Sequence, residues 1–281
     1  MPKGEQVDLV LPESKDMMEE REEDRFIIDP ESFGGTDYPP IVTPEQQEAL
    51  DNLYAHNPGL IQKPIKQIAL ENSRSKVGHH FMSPISPDPY RPDEPWIQTY
   101  SGRRFNPTNP NPEGIVIQDI AHSLSMQCRF SGHSKKFYSV GQHSVLVSHI
   151  CNQEDALWGL MHDASEAYLV DIPRPLKRSG KFEAYRDMEN VMMKAICKRF
   201  GLPEKEPPSV KIADTILLAT EARDLMIPLR SDWVQPVEPL PFKIESWSPQ
   251  EAKNQFMKRF FQLIGADSYH YEHYLERESN A

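Results

Sequence analysis

EDALWGLMHDASEAYLVDIPRP, residues 154–175, carries the reading of this chain. Leu157, Leu160, Met161 and Ala164 recur at the spacing of one helical face, which predicts a helix over residues 154–169 with that stripe buried. On the same helix His162 and Glu166 stand four apart, with Asp163 beside them. Three ionisable groups are thus set among Leu160, Met161, Ala164 and Ala167. Taking such groups out of water is costly unless something compensates them, and a divalent cation is one candidate. For any single acid a solvated polar face is the simpler reading. The conjunction of a histidine and two carboxylates favours the cation.

Working outward, amphipathic helical periodicity continues on both sides. IQDIAHSLSMQCRF predicts a helix over residues 117–130. A second opens at Ser139, with Ser139 and Gln142 forming a capping box before HSVLVSHI, residues 143–150. AYRDMENVMMKAICKRF, residues 184–200, stops at Gly201, Leu202 and Pro203, a C-terminal stop signal. Another helix covers SVKIADTILLATEARDLM, residues 209–226. The last begins with a capping box at Ser248 and Glu251 and turns Ala252, Phe256 and Phe260 to a core. No strand pattern competes in this region and no internal repeat is evident. The expected fold is all-α, a helical globule.

The N-terminal part differs. Sixteen of the 26 prolines fall in residues 1–113, which excludes long helices and central strands there except between the breaks. One short helix is expected at Thr43–Tyr54, where Thr43 caps, Pro44 takes the first helical position and Gln46 closes a capping box. The expected organisation is an acidic, disordered tail over residues 1–35, a proline-rich, largely irregular arm over 36–95, a helical domain over 96–265 and a tail over 266–281. The chain's 281 residues are enough to bury a core. Of the net charge of -11, residues 1–33 supply -7, with eleven acids against four bases, leaving a body near balance. Such a body has no broad basic surface for a nucleic-acid polymer, whereas a small anion in a local basic pocket remains compatible. Cys128, Cys151 and Cys197 are too few and too far apart for a disulfide framework or a CxxC metal site. With no apolar h-region at the N-terminus and no run of about 18 apolar residues, the expectation is a cytoplasmic chain without a membrane partner.

An adjacent histidine and aspartate fill only about two of the four to six positions of a divalent ion. His143 and Asp214 are candidates for the others. His143 lies amid Val140, Val147 and Ile150, where a satisfied core histidine is the rival reading. Asp214 sits inside the apolar run IADTILLA, and aspartate is a poor residue for a helix interior and is rarely buried unpaired. Glu221, seven residues after Asp214 and so on the same face, either lines a pocket or pairs with Arg223 or Lys211.

The order His143, His162-Asp163, Asp214 resembles the HD superfamily, in which a histidine, an adjacent His-Asp pair and a distant aspartate bind a divalent metal inside a helical domain. HDASEAYLVDIPRP is similar to the signature of the HD-type deoxynucleotidases, with acids at Glu166 and Asp171. CRFSGHSKKFYSVGQHS resembles the Arg-aromatic pair upstream of the first histidine in the same group, which places Arg129 and Phe130 at the substrate. YSGRRF and IAHSLSMQCRF extend the likeness, from about Trp96 to Met226, to phage and bacterial HD enzymes that include dATP triphosphohydrolases.

The resemblance implies a metal-dependent phosphohydrolase for a small deoxynucleotide, releasing triphosphate from a dNTP or phosphate from a dNMP. It implies one divalent ion (Mn2+, Co2+, Mg2+ or Zn2+) on His143, His162, Asp163 and Asp214. The histidines of a two-metal site are missing, since none occurs between His162 and His270. It further implies proton transfer by Glu166 and Asp171 and a homo-oligomer, dimer or hexamer. Phe130 stands where relatives often carry Trp, which leaves the base preference open. Lys177, and Arg174 before it, can neutralise phosphate oxygens or stand as solvated loop charges. The alternatives are another HD branch, acting on cyclic nucleotides or alarmones, and a non-catalytic nucleotide-binding regulator.

Overall fold

The computed structural model describes residues 93–228 and 237–265, all within one compact unit, Pro44–Ala281. The acidic tail, the helix expected at Thr43–Tyr54, the arm up to residue 92 and the tail 266–281 lie outside the described residues.

Helix α1, Ile117–Met126, buries Ile117, Ile120, Ala121 and Leu124, one face at helical spacing. Helix α2, Val140–Ile150, is capped by Ser139, whose hydroxyl accepts from the Gln142 amide at 3.0 Å. Every α2 residue except His149 is buried, because α1, the helix Pro208–Leu225 and two further helices all pack on it. Those two are α3, Ala156–Met161, and α8, Pro249–Leu263. Gly141 and Gly159 permit the closest approaches: a Cβ on Gly141 would stand 2.7 Å from Ser125 Oγ, and one on Gly159 2.8 Å from Cys151 Sγ. Around this centre run α4, Glu166–Leu169, α5, Arg174–Lys177, α6, Glu183–Phe200, and α7, Pro208–Leu225. Gly201 ends α6 in the left-handed conformation its sequence anticipates. Ala252, Phe256 and Phe260 of α8 are fully buried. The all-α expectation holds, with one addition: β1, Ile97–Gln98, pairs antiparallel with β2, Arg104–Phe105, as a minimal hairpin. No helix among the described residues is long and apolar enough to cross a membrane.

Four local expectations are corrected. The helix expected over 117–130 stops at Met126: Gln127 and Cys128 are extended, and the Arg129 amide donates to the Tyr138 carbonyl at 2.8 Å. Phe130, Ser131 and Gly132 then reverse the chain with φ of 56°, 52° and 79°. The helix expected over 154–169 is broken into α3 and α4. At His162–Ser165 the bonds tighten to an i to i−3 pattern, Ala164 N to Met161 O and Glu166 N to Asp163 O, each 2.9 Å. Leu157 is only half-buried; Trp158 takes its place in the core and donates from Nε1 to the Pro203 carbonyl. The Ser139–Gln142 box is half made. The Gln142 side chain instead donates from Nε2 to the Glu245 carbonyl at 2.7 Å and accepts at Oε1 from the Trp247 backbone amide at 2.9 Å, satisfying backbone groups of an irregular segment packed on α2.

Candidate functional site

The tightened turn after α3 presents His162 and Asp163 together, and α2 and α7 bring His143 and Asp214 to meet them. His143 Nε2 lies 3.2 Å from His162 Nε2, 3.7 Å from Asp163 Oδ2 and 3.4 Å from Asp214 Oδ1. His162 Nε2 stands 3.2 Å from Asp163 Oδ2. His143, His162 and Asp163 form a cluster that could hold a metal ion, each offering one ligand atom within 4.8 Å of the others. Asp214 adjoins it while its second oxygen receives Lys211 Nζ at 2.9 Å and Arg174 Nη2 at 3.4 Å.

The outer nitrogens of the two imidazoles decide what the inner ones can do. His162 Nδ1 faces the Gly159 carbonyl at 2.8 Å, and His143 Nδ1 faces Glu221 Oε1 at 2.6 Å. Both partners are acceptors, so each Nδ1 carries the proton and, in the neutral rings, each Nε2 presents a lone pair. Two lone pairs 3.2 Å apart, with carboxylates around them, repel unless a proton or a metal cation lies among them. Mixed imidazole and carboxylate donors suit a first-row divalent ion. Protons respond to the same field. Burial lowers the His162 pKa, but Asp163 and Asp214 outweigh it and raise the imidazole to about 9. His143 is likewise raised: burial and Arg129 oppose, while Glu221 and Asp214 prevail. Burial pushes Asp163 and Asp214 up, yet the histidines hold both carboxyls well below the usual range.

Arg129 spans the back of the cluster. Its Nη1 reaches Asp163 Oδ2 at 3.4 Å and its Nη2 reaches Glu221 Oε2 at 3.3 Å. The guanidinium expected to grip phosphate therefore has both terminal nitrogens engaged within the protein, and it braces the cluster as well as lining the cleft. Glu221, fully buried, is the residue whose part the sequence left open. Its partners are His143 and Arg129, and the signal that could have assigned it was its seven-residue spacing from Asp214 on α7. Burial raises its carboxyl, and Arg129 and His143 bring it below the usual glutamate value.

A cleft of about 1200 Å³ opens over the cluster. Of the residues expected at the site, Arg129, Phe130, His162, Asp163, Glu166, Asp171, Lys177 and Asp214 all line it, while His143 lies beneath, fully buried. Glu166 on α4 is buried, with Oε1 3.3 Å from Lys177 Nζ and Oε2 without a hydrogen-bond partner. Burial, then Asp163 and Asp171, pushes its carboxyl well above the ordinary glutamate value, with Lys177 pulling the other way. Phe130 lies with its ring 5.3 Å from the Arg129 guanidinium carbon. His133 and Arg174 also line the cleft. The Cys128 thiol, beside Arg129, lies 3.8 Å from the Ser134 hydroxyl, a group too weakly basic to activate it as a nucleophile.

Over 173 residues the chain is 46% identical to the uncharacterized protein YfdR of Escherichia coli K12, a match that takes in 60% of this chain and 95% of that protein. The chain belongs to the YfdR family. An uncharacterized protein of Rhodobacter capsulatus is 34% identical to it over 144 residues, 46% of this chain and 72% of that protein. No family model matches the chain. The YfdR match spans nearly all of that relative, far more than a short motif.

Proposed function

We propose that this member of the YfdR family is a metal-dependent phosphohydrolase of the HD type acting on a deoxynucleotide, cleaving either a dNTP to nucleoside and triphosphate or a dNMP to nucleoside and phosphate. The observation that carries the reading is the meeting of His143 Nε2, His162 Nε2 and Asp163 Oδ2, with both Nδ1 protons already committed to Glu221 and Gly159. That set fits one divalent ion, and Asp214 is the fourth ligand in the proposal. A divalent ion held there supplies a Lewis acid for a phosphoryl oxygen and lowers the pKa of a water.

The chain's own residues complete the reading. Glu166 and Asp171 line the same cleft in different surroundings, and two acids so placed suit the two halves of a proton transfer, from attacking water and to leaving oxygen. The raised pKa of Glu166 keeps its proton into a higher range than a free glutamate, which favours it as the donor. Lys177 and Arg174, with Arg178 nearby, supply positive charge for phosphate oxygens at the cleft. Phe130 offers an aromatic face for a base. The likeness of HDASEAYLVDIPRP to the deoxynucleotidase signature supports the substrate class.

Asp163→Ala and Glu166→Ala separate the parts of this reading. Asp163→Ala is expected to lose both bound metal and phosphate release, and Glu166→Ala to keep metal while losing turnover by at least about a hundredfold, the size of a general acid–base contribution. Metal content by mass spectrometry beside a phosphate assay reads both. Full activity of Asp163→Ala after EDTA treatment would refute the metal; loss of metal from Glu166→Ala would make that residue a ligand.

A further inference from the structure

Helix α6 contributes no ligand to the metal cluster, yet one of its side chains holds the loop that carries Asp171 and Lys177. Val170 ends α4 with φ 66° and ψ 146°, a region that a β-branched residue enters only under constraint and that glycine normally fills. The residue is 60% exposed, so core packing does not impose that conformation. Two hydrogen bonds grip its backbone: its amide donates to the Glu166 carbonyl at 2.9 Å, and its carbonyl accepts from the Tyr185 hydroxyl. The Tyr185 ring also faces the Lys177 ammonium, 5.6 Å from its centroid, within cation–π range. One turn further along α6, Glu189 Oε1 takes the same ammonium at 2.6 Å. A single tyrosine thus touches the backbone immediately before Asp171 and the side chain of Lys177, both of which line the cleft.

We propose that Tyr185 is a positioning residue, whose hydroxyl holds Val170 in the positive-φ conformation that aims Asp171 at the cleft and whose ring sets Lys177 beside it. The proposal rests on the phosphohydrolase reading for its catalytic consequence. The hold itself is a property of the loop and is measurable without substrate. Removing the hydroxyl lets Val170 relax to an ordinary extended conformation, which rotates the following residue away. Glycine at position 170 adopts the same conformation without strain and so needs no phenol to keep it there.

The test compares full-length wild type with Tyr185→Phe, Val170→Gly and the double variant. In Tyr185→Phe, amide exchange at Val170, Asp171 and Lys177 should quicken at least about tenfold while that of α7 is unchanged, as expected for local opening. Metal affinity should stay within about twofold, and kcat should fall about 10- to 100-fold with little change in KM, the scale of a misplaced catalytic group. Val170→Gly alone should stay near wild type, and Val170→Gly added to Tyr185→Phe should recover kcat. Unchanged exchange and unchanged kcat in Tyr185→Phe overturn the proposal, as does a loss that the glycine leaves untouched. A wild type without turnover counts against the phosphohydrolase reading, and the exchange result then decides for or against the hold.

Discussion

Glu221 grips His143 through one carboxylate oxygen and Arg129 through the other, so three buried or half-buried groups stand or fall together. A metal-ligating histidine is made a better donor when its outer N–H meets a carboxylate, and losing that partner typically weakens metal binding about 10- to 100-fold. Glu221→Gln keeps the volume and can still accept from Nδ1, but it gives up the charge that balances Arg129. We expect it to fold and to bind Mn2+ or Zn2+ about 10- to 100-fold more weakly by titration calorimetry. Wild-type affinity in Glu221→Gln would show that His143 is oriented without it. His162 and Asp163 of the cluster were legible in the sequence, since a histidine and aspartate amid Leu160, Met161 and Ala164 are anomalous by polarity alone. Glu221 was not, because on α7 a glutamate beside Arg223 reads as an ordinary ion pair. In fact Arg223 pairs with Asp224, its neighbour, at 2.7 Å. Arg129 was read as a substrate-binding residue and does line the cleft, but the engagement of its fork by Asp163 and Glu221 depends on two residues 34 and 92 positions away, which no local pattern reports.

At the scale of elements, the long helices were legible because packing and local signals agree. Ser139 and Ser248 cap α2 and α8, Gly201 ends α6, and the apolar spacing of α1 and α8 matches the buried faces. The failures lie where the site is built. Helical periodicity ran through His162–Ser165, but the chain tightens there, with His162 turned so that Nδ1 meets the Gly159 carbonyl and Nε2 meets His143. The same holds after Met126, where a regular helix would carry Arg129 on its own axis instead of letting it reach Asp163 and Glu221. Phe130 and Ser131 adopt positive φ in that reversal, as Val170 does before Asp171. All three non-glycine residues with positive φ among the described residues thus flank residues that line the cleft, and local strain of this kind concentrates at functional sites. Periodicity reads average burial, whereas each of these turns is imposed by long-range partners.

At the scale of the whole molecule, a metal ion on His143 and His162 would compete with protons for the same lone pairs. A histidine has a pKa of about 6.5 in the unfolded chain. His162 is raised to about 9 when folded, by Asp163 and Asp214 against the opposing effect of burial, and His143 is raised as well. In metal-free protein the stabilisation from these protons is therefore fully present below about pH 6.5 and is lost as the pH rises through about 9. A metal on Nε2 replaces the proton, so the rise in Tm on adding saturating Mn2+ or Zn2+ should be larger near pH 8.5 than near pH 6. A rise in Tm that does not change between those pH values would place the ion on ligands other than the histidines. The claim that joins fold, cluster and cleft is metal-dependent phosphate chemistry on a deoxynucleotide. Its most direct measurement is product analysis for EDTA-treated protein incubated with dNTPs, dNMPs and cyclic nucleotides, with and without Mn2+, Co2+, Mg2+ or Zn2+. The account predicts no turnover in the stripped protein and, with one of these ions restored, nucleoside with either triphosphate or phosphate from a deoxynucleotide. Turnover that ignores the metal, or no product from any dNTP or dNMP with any of the four ions, would contradict it.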